Sequence, residues 1–165
     1  MDEVRSLRAL LIDCVRDLRE GEAATLERLG RIGDAVRAPS LKQAFAERLT
    51  GARERAAVLE GIATALETSS RGPDNIWMSG MLEDAERDTK TVEPGPLLDA
   101  ALVGAVRKMI AASVVSYETA IAVAARLGFT HHAAALTRCR DREARTDDDW
   151  RSVLGTVVAS EAPPG

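Results

Sequence analysis

The chain has few of the residues on which most functional sites are built. It contains two cysteines, Cys14 and Cys139, and two histidines, His131 and His132. Two thiols exclude a disulfide framework and suggest a reducing compartment, the cytoplasm. Aromatic residues make up 3%, too few for a stacking platform or a rich sheet core. There is no basic excess: 22 Lys and Arg against 26 Asp and Glu leave a net charge of −4. A whole-chain footprint for nucleic acid is therefore absent. No apolar run approaches the roughly 20 residues of a membrane span. Met1-Asp2-Glu3 is acidic where a signal peptide would be positive. Gly-rich phosphate loops and Gly-x-Ser-x-Gly elbows are missing, and no spacing of Ser and His singles out a triad.

What remains is helix-forming. Alanine, arginine and leucine dominate, and 45% of the 165 residues are hydrophobic, ordinary for one soluble domain. Four punctuation points divide the chain. At Ala38-Pro39-Ser40 the proline breaks a helix and Ser40 can cap the next. A turn-rich loop covers 68–75, and Glu93-Pro94-Gly95-Pro96 makes a third break. At the fourth, Gly128 is a C′ residue and Thr130 an N-cap. The single domain is set at 1–160, with a disordered tail at 161–165.

Between these points the apolar period is helical. The first helix repeats at Leu7, Leu11, Cys14, Leu18, Thr25, Leu29 and Ile32. The second repeats at Leu41, Phe45, Leu49, Ala52, Ala56, Leu59, Ala63 and Leu66. A short third has Ile76, Trp77, Met81 and Ala85. The fourth repeats at Val103, Val106, Ile110, Ser113, Tyr117, Ala120, Ala124 and Leu127. The fifth repeats at Leu136, Cys139, Glu143, Thr146, Trp150, Val153 and Val157. Alternating spacings of three and four are those of a bundle seam. The expectation is an all-α chain: an up-down four-helix bundle with one additional short helix.

Two acids fall on or beside these seams, Glu22 and Glu143. The simplest reading is that each leans to the seam's edge and reaches water. A carboxylate inside the bundle would have to be paired, metal-bound or protonated. A carboxylate-bridged di-metal centre needs a glutamate from each of two helices and Glu-x-x-His from each of two others. Glu-x-x-His does not occur, and the adjacent histidines point about 100° apart on a helix. Arg138, Arg140, Arg142 and Arg145 alternate with acids, which reads as a mixed solvated face. Trp77 and Trp150 read as core or interface anchors.

Over about 7–155 the chain resembles the YciE/YciF family of ferritin-like bacterial proteins. The resemblance is carried by Arg16-Asp17-Leu18 with Gly21-Glu22, and by Ala38-Pro39-Ser40-Leu41-Lys42-Gln43-Ala44-Phe45. Met78-Ser79-Gly80-Met81-Leu82-Glu83-Asp84, Asp99-Ala100-Ala101-Leu102, Ala124-Ala125-Arg126-Leu127-Gly128 and Asp141-Arg142-Glu143 with Thr146-Asp147 extend it. It implies a ferritin-like fold, a cytosolic bacterial setting, stress-associated expression and a homodimer. Members resemble di-metal carboxylate proteins, and this chain departs from them at the ligand-like positions. Glu22 is kept, but a tyrosine three residues earlier is Arg19. A His and Glu of the second helix are Arg48 and Gly51. Glu-His-Tyr-Glu of the fourth helix is Ile110-Ala111-Ala112-Ser113. Two glutamates of the fifth helix are Arg142 and Glu143, and Asp84 stands for a glutamate of the third. Tyr117-Glu118 looks like the family's Tyr-Glu pair displaced by five residues. That rotates it about 140° from the site, so Glu118 reads as surface.

These vestigial positions lead to a specific expectation. Arg48, with Arg142, takes the place of the metals and neutralises Glu22 and Glu143, since a permanent cation with a forked donor suits a carboxylate. Ile110 and Ser113 fill the opposing side. No cofactor and no catalytic residue is then expected. The function expected is a non-enzymatic bundle acting through dimerisation or a protein partner, with no nucleic acid and no membrane. Two alternatives stand beside it. One is an iron or manganese oxidoreductase with its metal on Glu22, Asp84 and Glu143. The other is a binder of small apolar ligands in a centre vacated at Gly51, Ala52, Ala111, Ala112 and Ser113.

Overall fold

The computed structural model describes residues 4–161. Met1–Glu3, where a signal peptide's positive region was sought, lie outside the described residues, as does nearly all of the expected tail. Five helices follow one another: α1 (Leu7–Gly33), α2 (Pro39–Ala65), α3 (Ile76–Thr91), α4 (Pro96–Arg126) and α5 (Thr130–Ala159). The long helices hold 27 to 31 residues, roughly 40–47 Å at 1.5 Å per residue.

Two helical hairpins, α1–α2 and α4–α5, pack side by side. Contacts join α1 to α2 and α4, and α5 to α2 and α4. Side-chain pairing gives the directions. Asp99 at the start of α4 accepts from the backbone N–H of Arg37 and Ala38, both at 3.0 Å. The start of α2 and the start of α4 therefore share one end. At the other end Arg8 of α1 donates to the Leu66 carbonyl at 2.9 Å. Each long helix thus runs antiparallel to its neighbours, and α3 carries the chain back down the bundle between the hairpins.

Local chemistry sets the breaks. α4 ends with Gly128 at φ +75°, and the N–H groups of Phe129 and Gly128 reach the carbonyls of Ala124 and Ala125 at 3.0 Å. This is the Schellman closure expected of a C′ glycine. α2 ends the same way, but with Glu67 at φ +56°, where an L side chain is strained. Two expected caps are corrected. Pro39 is itself the first residue of α2, so Ala38 takes the cap position in place of Ser40. Thr130 is already helical behind Phe129. α3 is capped by Asn75, whose Oδ1 accepts from Met78 N–H at 2.7 Å and whose Nδ2 donates to the Asp17 carbonyl at 2.8 Å.

The seams are mostly as the periodicity predicts, with local differences. Val15 is buried while Cys14 is half-buried, and Leu7 is 43% exposed. α3 buries Met78, Leu82 and Ala85 and leaves Ile76 86% exposed. Met78, Leu82 and Ala85, four and three apart, share the inward face, and Trp77 sits at the α1 edge with its Nε1 donating to the Asp17 carboxylate at 3.0 Å. On α2 the apolar face is interrupted: Arg48, Gly51 and Arg55 are buried, whereas Leu49 and Ala56 are half-buried.

The apolar core is consequently in two pieces. One gathers Leu29, Ile32, Phe45, Met109, Ile110 and Trp150, with Phe45 edge-on to Trp150 at 5.1 Å. The other gathers Leu11, Leu18, Leu59, Tyr117, Leu136 and Cys139. Between them, at mid-height, lies a polar layer.

Candidate functional site

The layer takes one or two side chains from each long helix. Glu22 comes from α1, Arg48 and Arg55 from α2, Ser113 from α4 and Glu143 from α5. All are buried, Glu143 completely and Glu22 at 3% exposure. The reading in which these acids lean outward to water is therefore overturned. Helical spacing explains the convergence. Arg48 and Arg55 are seven apart, so both return to the same face of α2. The small residues Gly51 and Ala52 lie between them and let the guanidinium groups lie flat. A Cβ on Gly51 would stand 2.9 Å from Arg55 Nη1.

The four charges form one network. Arg55 grips Glu22 through a two-pronged contact, Nε to Oε1 at 2.5 Å and Nη2 to Oε2 at 3.0 Å. Its third nitrogen, Nη1, reaches Glu143 Oε1 at 2.6 Å. Arg48 Nη1 donates to the same Glu143 oxygen. Charge-assisted, forked pairs are the strong ones, and in this buried layer each depends on the other.

Burial is the largest single influence on Glu22, Arg55, Tyr117 and Cys139. It pushes Glu22 upward against the pull of Arg55 and Arg48. It works against the Arg55 charge, but Glu22 and Glu143 outweigh it and hold Arg55 above the ordinary arginine value. Burial likewise raises Tyr117 well above 10, with the Glu22 charge adding to it. Cys139 is raised by burial too. Among the described residues Arg48 Nε and Nη2 and Glu143 Oε2 are buried without a hydrogen-bond partner, and the Tyr117 hydroxyl has the Cys139 thiol beside it.

Of the expected site residues, Glu22, Arg48, Gly51, Ser113 and Glu143 meet at this layer, and Ile110 packs immediately beside it in the Trp150 cluster. Two do not. Arg142 is half exposed and pairs with Glu54 at the surface. It neighbours Glu143 in sequence, so it points about 100° away around α5. Asp84 lies on the outer side of α3, paired with Arg87 and with Lys108 at 3.8 Å, and cannot join Glu22 and Glu143 on a metal. The cation that sequence reasoning missed is Arg55. Its seven-residue spacing from Arg48 was the available signal. Among the residues expected to leave a hollow, Ala111 is exposed and Ala112 half-buried, and Arg55 takes the space beside Gly51. Glu118 is on the surface as expected, 3.6 Å from Arg140.

A family model described as a domain of unknown function, DUF892, matches residues 6–163. The chain belongs to this family. Protein YciF of Escherichia coli (strain K12) is 25% identical to it over 148 residues, 87% of each chain. The crystal structure of the E. coli stress protein YciF superposes with a TM-score of 0.90 at 21% identity, covering 95% of this chain and 99% of that one. YcfI from Rhodopseudomonas palustris gives 0.86 at 19% identity over 90% and 95% of the two chains. A ferritin-like, diiron-carboxylate protein from Bacillus anthracis gives 0.71 at 14% identity over 91% and 99%. The chain is thus a YciF-like, ferritin-like bundle.

Di-metal chemistry of the ferritin-like kind needs a ring of anionic and imidazole ligands. The residues of this DUF892 chain do not fit it. Among the described residues no group of three or more His, Cys, Asp or Glu is placed to hold a metal ion. The two acids that reach the mid-bundle layer are each engaged by a guanidinium. A permanent cation stands within ion-pair distance of every oxygen donor a metal would first approach, apart from Glu143 Oε2.

Proposed function

We propose that this protein is a non-enzymatic member of the YciF-like family, whose mid-bundle layer is a degenerate metal site closed by protein charges. The observation that carries the reading is Arg55 binding both buried carboxylates, in the space left open by Gly51. Glycine where relatives would carry a ligand, and arginine seven residues from Arg48, act as one compensated change: two cations offset the two remaining acids without an ion. The bundle then works by association, as a homodimer or with a protein partner, in the bacterial cytoplasm. The name of the relative, a stress protein, supports a role under stress. No helix of the described residues is long and apolar enough to cross a membrane.

Elemental analysis of protein purified from iron- and manganese-supplemented cells tests the reading. The expected content is far below one equivalent per chain, with no consumption of peroxide. A stoichiometric amount that survives dialysis would overturn it. Light scattering coupled to gel filtration reads the assembly, with a dimer mass expected.

A further inference from the structure

Between α2 and α5 runs a cleft of about 940 Å³ that reaches the mid-bundle layer, with Arg48 and Arg55 among its lining residues. These two helices touch least of the four neighbouring pairs of long helices. Only one nitrogen of Arg48 is used, Nη1 on Glu143. Nε and Nη2 have no partner, although Arg48 is 2% exposed.

Those two N–H groups lie along one edge of a guanidinium and point the same way, a fork matched to two oxygens of a single anion. Elsewhere in this molecule that same edge holds a carboxylate. Arg28 uses it on Glu86 at 2.8 Å and 2.8 Å, Arg107 on Asp147 at 2.8 Å and 3.0 Å, and Arg55 on Glu22. Arg48 has the fork without the carboxylate. Buried donors are rarely left so, because an unmade hydrogen bond keeps its full desolvation penalty.

We propose that the α2–α5 cleft binds a small organic carboxylate, with its two oxygens on the open edge of Arg48. The walls fit the rest of such a molecule. Ala44, Trp150 and Val153 offer apolar surface to its body, and Arg145 brings a second positive charge. Glu47, Asp148 and Asp149 also border the cleft, which favours a monoanion over a multiply charged phosphate. The open edge itself is buried, so entry requires α2 and α5 to part slightly at their loose seam. The proposal rests on the arginine-closed layer proposed above, and metal content measured on the same preparation separates failure of that reading from failure of this one.

The test uses hexanoate, its neutral amide hexanamide and inorganic phosphate as probes on the full chain, by calorimetric titration and thermal shift. Arg48→Lys keeps a cation for Glu143 but removes the fork. Thr50→Trp obstructs the cleft from an exposed position on α2 and leaves the charge network intact. Saturable binding of hexanoate, absent with hexanamide and phosphate and weakened about tenfold or more by both substitutions, is expected. Equal binding of acid and amide, tighter binding of phosphate, no saturable binding at all, or hexanoate binding unaffected by Thr50→Trp would each overturn it. If Arg48→Lys does not fold, Thr50→Trp alone decides.

Discussion

At the scale of single residues, Arg55 is the side chain on which most depends, because its removal leaves two buried carboxylates short of a partner. Arg55→Ala is expected to cost about 3–5 kcal/mol in urea unfolding, the penalty for stranding a buried charge. Arg142→Ala, at a half-exposed pair, should cost less than about 1 kcal/mol. Equal losses at the two sites would contradict the burial described here. Tyr117 makes a second, independent test, since it is the one tyrosine of the chain and its hydroxyl is buried with the Cys139 thiol beside it. Its native pKa lies above the unfolded value of about 10, because burial disfavours the phenolate. The stability it contributes is therefore fully present below pH ~10 and is lost as pH rises through the native value. Phenolate absorbance should appear only well above pH ~10 or together with unfolding. Tyr117→Phe should change stability at neutral pH by no more than about 1 kcal/mol and should be the more stable form in alkali, where wild type must ionise a buried phenol. The sequence made Glu22 and Glu143 legible because both sit on or beside apolar seams where a charge has to be explained, and Arg48 legible because it stands where the resembled family has a histidine. Arg55 escaped because arginine is ordinarily exposed and the apolar period of α2 can be drawn through Ala52, Ala56 and Leu59 without it. Arg142 misled because adjacency in sequence is not adjacency on a helix.

At the scale of elements, the long helices were legible apart from the caps at Ser40 and Thr130, each placed one or two residues late, since twenty or more residues of period near 3.6 leave little freedom. The short α3 was legible as a helix but not in its facing. Asn75 and Trp77 are both tied to Asp17 of α1 while Ile76 between them faces outward, and the sequence pattern of 16 residues is too brief to show it. The ends of the helices also carry a consequence. Gly128 relieves the turn after α4, but Glu67 holds the equivalent position after α2 with a positive φ and an exposed side chain. Glu67→Gly is expected to raise stability by about 0.5–1 kcal/mol, as a C′ glycine removes the strain of a left-handed L residue. A thermal midpoint below wild type would show that Glu67 makes a compensating contact. Asp99 plays the opposite part. Its buried carboxylate satisfies two backbone N–H groups of the α1–α2 connection, so one side chain joins the two hairpins at their shared end.

At the scale of the whole molecule, the charged layer divides the core into two apolar clusters. Buried ion networks are costly to break and often cheap to replace. Replacing the set together, with Glu22→Leu, Arg48→Met, Arg55→Met and Glu143→Leu, should therefore leave stability unchanged or raise it by about 1–4 kcal/mol, although each single change is destabilising. A combined loss as large as the sum of the single losses would show that the network is a net source of stability. The spacing of the arginines also governs how the hairpins can be offset. In coiled coils a single polar position fixes alignment, because every wrong offset buries it against apolar neighbours. Here the two arginines leave α2 from positions two turns apart, about 10.5 Å along its axis, yet both guanidinium groups converge on one oxygen of Glu143. A slip of α2 against α5 in either direction would carry one arginine toward Glu143 and the other away from it, leaving a buried charge short of its partner. The layer thus behaves as a clasp whose two arms close on one pin, and the native offset is the one at which both arms reach it.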